Sequence, residues 1–270
     1  MDRSQELSEL LRWYVAMGVD EAIGEAPLDR LAPPSRQAVP APRPARPAPR
    51  SAAPAPIGIA PAAGLAGNAA ARKLAEAAAT LAELEAAVSS FDGCALRRTA
   101  THTVFADGTP HAPVMIIGEA PGADEDRIGR PFVGRSGQLL DRMLAAIGLD
   151  RQRDVYITNI LFWRPPGNRK PTDDETAACL PFVWRHIALN APRYVVLCGG
   201  TATAALLNRA EGITKLRGRW FDLAVPGLDR PVPALTTYHP SFLLRAPARK
   251  SEAWRDFLEL QIKLDHSNNN

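Results

Sequence analysis

Glu119, Asn159 and His239 are side chains whose types and settings suit chemistry on a neutral, polar ligand. Glu119 stands in the turn GEAPG at 118–122, and Asp124, Glu125 and Asp126 follow at once. A glycine turn behind an apolar run is usually a phosphate cradle, because its backbone N–H groups can close on an anion. Here that reading fails on detail. Neither G-x-G-x-x-G nor G-K-[ST] is present, Pro121 removes a backbone donor, and the carboxylates repel phosphate. A flat ligand rich in donors and acceptors, such as a nucleobase, fits better, since the glycines let backbone groups approach its edge. Phe132, in GRPFVGR, offers a ring face for stacking, and Arg130 and Arg135 on either side can hold phosphates. Asn159 both donates and accepts, as reading a base edge requires. Each residue alone also has an ordinary role: Phe132 in a core, Asn159 in a turn, His239 before Pro240 as structure. Their common placement is what joins them.

That placement comes from alternating strands and helices. Apolar runs at 113–117, 154–160, 194–197 and 232–236 predict strands. Amphipathic or alanine-rich stretches at 69–88, 136–147, 202–207 and 252–264 predict helices. Thr172 followed by Asp173, Asp174 and Glu175 predicts the capped start of another. Such alternation gives a three-layer α/β/α fold around a central, mainly parallel four-stranded sheet. GEAPG, Asn159, Gly199-Gly200 and His239 each follow a strand, at the carboxyl edge where open α/β sheets bind ligands.

The rest of the chain divides by composition. Residues 1–32 carry a short amphipathic helix over 6–23, with Leu7, Leu10, Leu11, Tyr14, Val15 and Val19 at helical spacing. Residues 33–66 read as a disordered Pro/Ala/Arg linker. Within 33–64 stand ten prolines, four arginines and no acid, so this stretch contributes +4 to a chain total of +3. It is a spacer or a weak nucleic-acid tether. Residues 67–266 form the compact domain and 267–270 a disordered tail. No apolar run reaches the roughly eighteen residues of a membrane helix, and the N-terminus lacks a secretory pattern. Three widely spaced cysteines, an odd count, argue for a reducing cytoplasm rather than a disulfide framework.

Three ordered motifs, GEAPG-x-x-ED-x-x-GRPFVGR-x-GQLL, N-x-x-x-x-RPPGNR-x-P and HPS-x-LLR, resemble the family 4 uracil-DNA glycosylases over residues 91–262. The resemblance implies an enzyme that hydrolyses the N-glycosidic bond of deoxyuridine in DNA, releasing free uracil and leaving an abasic site without a lyase step. It implies that Phe132 stacks on a flipped uracil and that Asn159 reads the uracil Watson–Crick edge. His239 would hydrogen-bond O2 as charge builds there, and Glu119 would lie at the water and base side. The backbone of Gly118, Glu119 and Ala120 would complete the cage; Ala120 stands where some glycosylase families place an Asp. DNA contacts are expected from Arg130, Arg135, Arg164, Arg169, Lys170, Ser241, Leu244 and Arg245, with 241–245 entering the minor groove. The implied partner is uracil-containing DNA, single- or double-stranded, with the chain acting as a cytoplasmic monomer and no membrane involved.

Family 4 enzymes are typically built around a 4Fe–4S cluster on four cysteines. Of those positions this chain keeps Cys94 and Cys179 and has Phe91 and Trp163 at the other two. Cys198, inside VVLCGG, reads as core. The aromatic replacements suit an apolar plug, so the expectation is no cofactor and no metal. Two other readings stay open: a catalytically silent DNA- or uracil-binding module, and a glycosylase for another deaminated base such as hypoxanthine or xanthine.

Overall fold

Successive side chains of the apolar strands go to opposite sheet faces, and helices cover both, so three of these strands are buried at every position. The computed structural model describes residues 62–268, with side chains described over 68–267; the expected helix at 6–23 and most of the expected linker lie outside them. Its strands are β1 (Asp107–Gly108), β2 (Val114–Gly118), β3 (Val155–Asn159), β4 (Tyr194–Cys198), β5 (Trp220–Leu223) and β6 (Val232–Thr237). They form one sheet in the order β1-β3-β2-β4-β6-β5. The inner strands β3, β2, β4 and β6 are parallel, and they are the four read from the sequence. Antiparallel β1 and β5 extend the edges, making six strands in a mixed sheet. Neither edge has the buried apolar run that marks a central strand: β1 is Asp-Gly alone, and three of the four β5 residues are not buried.

The helices are α1 (Ala62–Ala77), α2 (Leu81–Ser90), α3 (Ala123–Ile128), α4 (Arg135–Ala145), α5 (Asp173–Asn190), α6 (Gly200–Leu207), α7 (Ile213–Leu216), α8 (Pro240–Arg245) and α9 (Lys250–Asn268). Met115, Ile117, Tyr156, Val195 and Leu197 face one layer, packing in one core with Ala71, Leu84, Val88 and Phe182 of α1, α2 and α5. Val114, Ile116, Val155, Ile157 and Val196 face the other, with Leu140 and Leu144 of α4 and Phe257 and Leu260 of α9. Each such buried side chain contributes roughly 1.5–3 kcal/mol, which makes the two apolar layers the source of strand register.

The stretch 69–88, read as one helix, is two. Thr80 leaves the helical region and its Oγ1 accepts from the Glu83 N–H at 3.2 Å, while Glu83 Oε2 accepts from the Ala79 N–H at 2.7 Å. These local bonds offer the backbone a break that outweighs helix propensity. Leu74, expected in a packed stripe, is exposed, and α1 starts at Ala62, inside the stretch read as linker. Among the described residues no helix is long and apolar enough to cross a membrane.

Candidate active site

β2 is flanked by β3 on one side and β4 on the other, so the chain changes direction between them and leaves a crevice at the strands' carboxyl ends. A cavity of about 610 Å³ opens there, lined by Glu119, Phe132, Asn159, Tyr238 and His239 among others. Glu119, leaving β2, and Thr201, in the first turn of α6, meet across the crevice: the Thr201 hydroxyl donates to Glu119 Oε2. Thr201 was not singled out from the sequence. Its one signal was Gly199-Gly200 beside it, where Gly199 takes φ of 96° to turn from β4 into the helix.

Asn159 is held in register at the end of β3, opposite Gly118. The ladder continues past it through Ile160 N–H to Gly118 O at 3.0 Å and Leu161 N–H to Glu119 O at 3.1 Å. The side chain is 1% exposed, and its Oδ1 has no hydrogen-bond partner. A buried acceptor left without a donor costs about 1–3 kcal/mol, so this atom is set for a ligand N–H. Gly118 is the price of proximity: a Cβ there would lie 2.4 Å from Asn159 Oδ1 and 2.5 Å from Phe132 Cζ. Phe132 itself has φ of 53°, unusual for a bulky residue, and its ring lies 5.3 Å from that of His239 at 28°.

His239 caps α8. Its Nδ1 accepts from the Ser241 N–H at 3.1 Å, with Ser241 Oγ at 2.8 Å. A backbone N–H can only donate, so Nδ1 is the unprotonated nitrogen and Nε2 carries the ring proton. Burial, helped by the nearby Arg245 charge, lowers the ring's pKa to about 4. The imidazole is therefore a neutral N–H donor at ordinary pH.

The acids that spoke against phosphate mostly hold backbone. Asp126 Oδ1 accepts from Thr101 N–H at 2.8 Å and His102 N–H at 3.2 Å, and the buried Glu125 accepts from Gly122, Val133 and Gly134. Asp124 is exposed and pairs with Arg127.

Of the residues expected to touch DNA, Arg135, Arg169, Ser241 and Arg245 line the cavity. Arg169 is already engaged: Nη1 and Nη2 donate to the two Glu175 carboxylate oxygens at 2.8 and 2.6 Å, tying its loop to the start of α5. Arg164 donates to Asn168 Oδ1 at 2.7 Å, Arg130 lies 3.9 Å from Asp107, and Lys170 is exposed. Along 241–245, Leu243 is fully buried against Leu139, Tyr238 and Ala253, leaving Phe242, Leu244 and Arg245 to face solvent in part. Leu243 thus belongs to the core rather than to a groove-entering wedge.

Cys94 and Cys179 are both buried in the same apolar cluster, and both are free thiols. The neighbouring Cys179 thiol lowers the Cys94 pKa, while Cys94 and burial raise that of Cys179. Phe91 packs edge-on to Phe182 at 5.1 Å and lies 6.5 Å from Trp163, whose indole N–H donates to Thr103. Cys198 is buried in β4, its thiol pushed up to about 12 by burial.

The family model of the uracil DNA glycosylase superfamily matches residues 105–258. The type-4 uracil-DNA glycosylase of Pyrobaculum aerophilum is 39% identical over 173 residues, covering 63% of this chain and 87% of that protein. That of Thermotoga maritima is 39% identical, covering 64% and 86%, and that of Archaeoglobus fulgidus 37% identical, covering 62% and 84%.

These relatives correct the expectation of a chain without a cofactor. They are type-4 enzymes, the family that the resemblance ties to a 4Fe–4S cluster, so kinship implies that group. At the corresponding place this chain offers two thiols, Cys94 and Cys179, beside the rings of Phe91 and Trp163. Among the described residues no group of three or more His, Cys, Asp or Glu side chains is arranged to hold a metal ion. Four thiolates are the usual ligand set, and the residues present do not fit it.

Proposed function

The chain belongs to the type-4 uracil-DNA glycosylases, and we propose on that premise that the cavity at the sheet's carboxyl edge takes uracil turned out of the DNA stack. As a uracil-DNA glycosylase it is a DNA-repair hydrolase, and uracil-containing DNA is its substrate class. The observation that carries the site assignment is the buried Asn159 Oδ1 without a donor. Uracil presents N3–H beside O4, so Oδ1 accepts from N3–H while Nδ2 donates to O4. Cytosine presents an acceptor and an amine there and mismatches the amide at both atoms.

Phe132 supplies the stacking face. The Nε2–H of His239 donates to O2, and the ring's depressed pKa keeps it a neutral donor. As the N1–C1′ bond breaks, its electron pair stays with uracil, and the charge spreads onto O2 and O4 where His239 and Asn159 donate. Donors preorganised for developing charge are typically worth about 3–4 kcal/mol each. Water adds to C1′, and its proton passes to Glu119, whose Oε2 is held by Thr201, leaving Oε1 for the water. Free uracil, protonated from solvent, and an abasic site are the products. The reading further carries action as a monomer in the cytoplasm, consistent with three free cysteines.

The test is a single-stranded oligonucleotide with one deoxyuridine, incubated with the protein and then treated with alkali. Scission at the uracil is expected. Scission only at hypoxanthine or xanthine would redirect the base assignment, and none at any base would leave a silent binding module.

A further inference from the structure

Phe132 is the one aromatic of the cavity with a left-handed backbone, and its φ of 53° places the ring beside Gly118 and Asn159. A non-glycine residue in that region costs roughly 1–2 kcal/mol, and such conformations persist when the surroundings over-determine them. Here the over-determination comes from two side chains of opposite charge. Arg151, in the loop before β3, donates from Nη2 to the Phe132 carbonyl at 2.5 Å and from Nη1 to the Pro131 carbonyl at 3.2 Å. Glu125 of α3 accepts on Oε1 from the Val133 and Gly134 N–H groups, both at 2.9 Å, and on Oε2 from Gly122 N–H at 3.0 Å.

The peptide joining Phe132 to Val133 is therefore gripped at both ends, its carbonyl by a cation and its N–H by an anion. Arg151 is anchored in turn: Nη1 lies 2.6 Å from Asp107 and Nε 2.7 Å from Asp141, with the side chain 12% exposed. Glu125 also links this loop to the GEAPG turn, because Gly122 is the last residue of that turn. Arg151 does not line the cavity, and Glu125 lines it with both carboxylate oxygens already taken by backbone N–H groups. Gly137 lets α4 come up against the same carbonyl, where a Cβ would lie 1.7 Å from Phe132 O.

We propose that Glu125 and Arg151 are positioning residues that clamp the Phe132–Val133 peptide and so hold the stacking ring at the distance a flipped base requires. The proposal rests on the base-slot reading above. It makes Arg151 more than an ion-pair anchor, because lysine keeps its charge for Asp107 and Asp141 but has no fork to bridge two carbonyls.

The test is a double-mutant cycle on single-turnover excision, with Arg151→Lys and Glu125→Gln each made alone and in a Phe132→Ala background. DNA affinity and melting temperature are measured on every variant. A ring displaced by about 1 Å is expected to lower the rate about a hundredfold, with DNA affinity within about threefold because phosphate contacts dominate it. In the Phe132→Ala background, where no ring remains to be placed, each change should lower the rate by less than about threefold, since the effects share one route. Multiplicative losses in that background would show a general structural role and overturn the proposal, as would wild-type rates for both single variants. If Arg151→Lys fails to fold, Glu125→Gln carries the same cycle. A wild-type protein that excises no uracil would sink the base-slot reading; an active wild type with unaffected variants would sink only the clamp.

Discussion

Gly118→Ala adds one methyl group to the base slot and removes no functional atom, so it probes the geometry alone. The new Cβ would stand 2.4 Å from Asn159 Oδ1 and 2.5 and 2.7 Å from two atoms of the Phe132 ring. Ordinary contact begins near 3.4 Å, so the amide and the ring must each retreat by about 1 Å. Asn159 is hydrogen-bonded into the β2–β3 ladder and Phe132 is clamped on both sides, so neither yields freely. Overpacking of this kind destabilises by about 1–3 kcal/mol, which for a domain of this size lowers Tm by roughly 2–12 °C. A 1 Å misplacement of the reading and stacking groups lowers the chemical rate about a hundredfold. The assay is single-turnover uracil excision from a labelled oligonucleotide, with DNA affinity and Tm measured on the same preparation. A folded Gly118→Ala protein that excises uracil within about threefold of wild type would show that Asn159 and Phe132 do not meet the base together.

His239→Ala should lower the single-turnover rate about a hundredfold with DNA affinity unchanged, and the wild-type rate should owe no slope to His239 between pH 5.5 and 8, falling only as pH drops through about 4. A rate that climbs as pH falls below 6.5 would mean that the ring acts as a cation. Two neutral histidines, the half-buried His239 near 4 and the buried His186 near 3, bind protons more readily when unfolded, so their contribution to stability is full above about pH 6.5 and is lost as pH falls toward 4 and then 3. His186→Phe should flatten that loss in urea titrations at pH 7 and 5; an unchanged difference would count against it. Arg135→Ala and Arg245→Ala should each reduce the salt slope of single-strand binding by about 0.7. Arg169→Ala should instead lower Tm by releasing Glu175, with the slope unchanged; a slope change there would make Arg169 a phosphate ligand.

The four inner strands and the edge that carries the site were legible because buried runs such as 113–117 and 194–197 are local and apolar, and their order fixes where the intervening turns emerge. Asn159, Phe132 and His239 could be grouped on that ground, and the fold brings all three to one cavity. What stayed hidden depends on contacts between distant residues or on single bonds. The Glu125 carboxylate reads as a surface acid until the loop at 133–134 folds back on it, and Arg151 reaches carbonyls 19 and 20 residues earlier in the chain. Thr201 meets Glu119 only because β4 lies beside β2. The helix break at Thr80 turns on one side-chain bond, and the helical period on either side of it masks the interruption. The cysteines show the opposite case: their spacing was readable, but kinship with type-4 enzymes, rather than this chain's residues alone, brings the implied cluster into the account.

The most direct test of Asn159 as the reader of the base edge is Asn159→Asp assayed on matched oligonucleotides carrying one uracil or one cytosine. On the proposed reading the wild-type amide pairs with uracil and mismatches cytosine, so scission should occur at uracil alone. The carboxylate cannot donate to O4, and it can accept from the cytosine amine. The variant should therefore lose uracil excision by roughly a hundredfold or more, with any gain appearing on cytosine. Undiminished uracil excision by Asn159→Asp would contradict the account at its centre, because the base edge would then be read elsewhere.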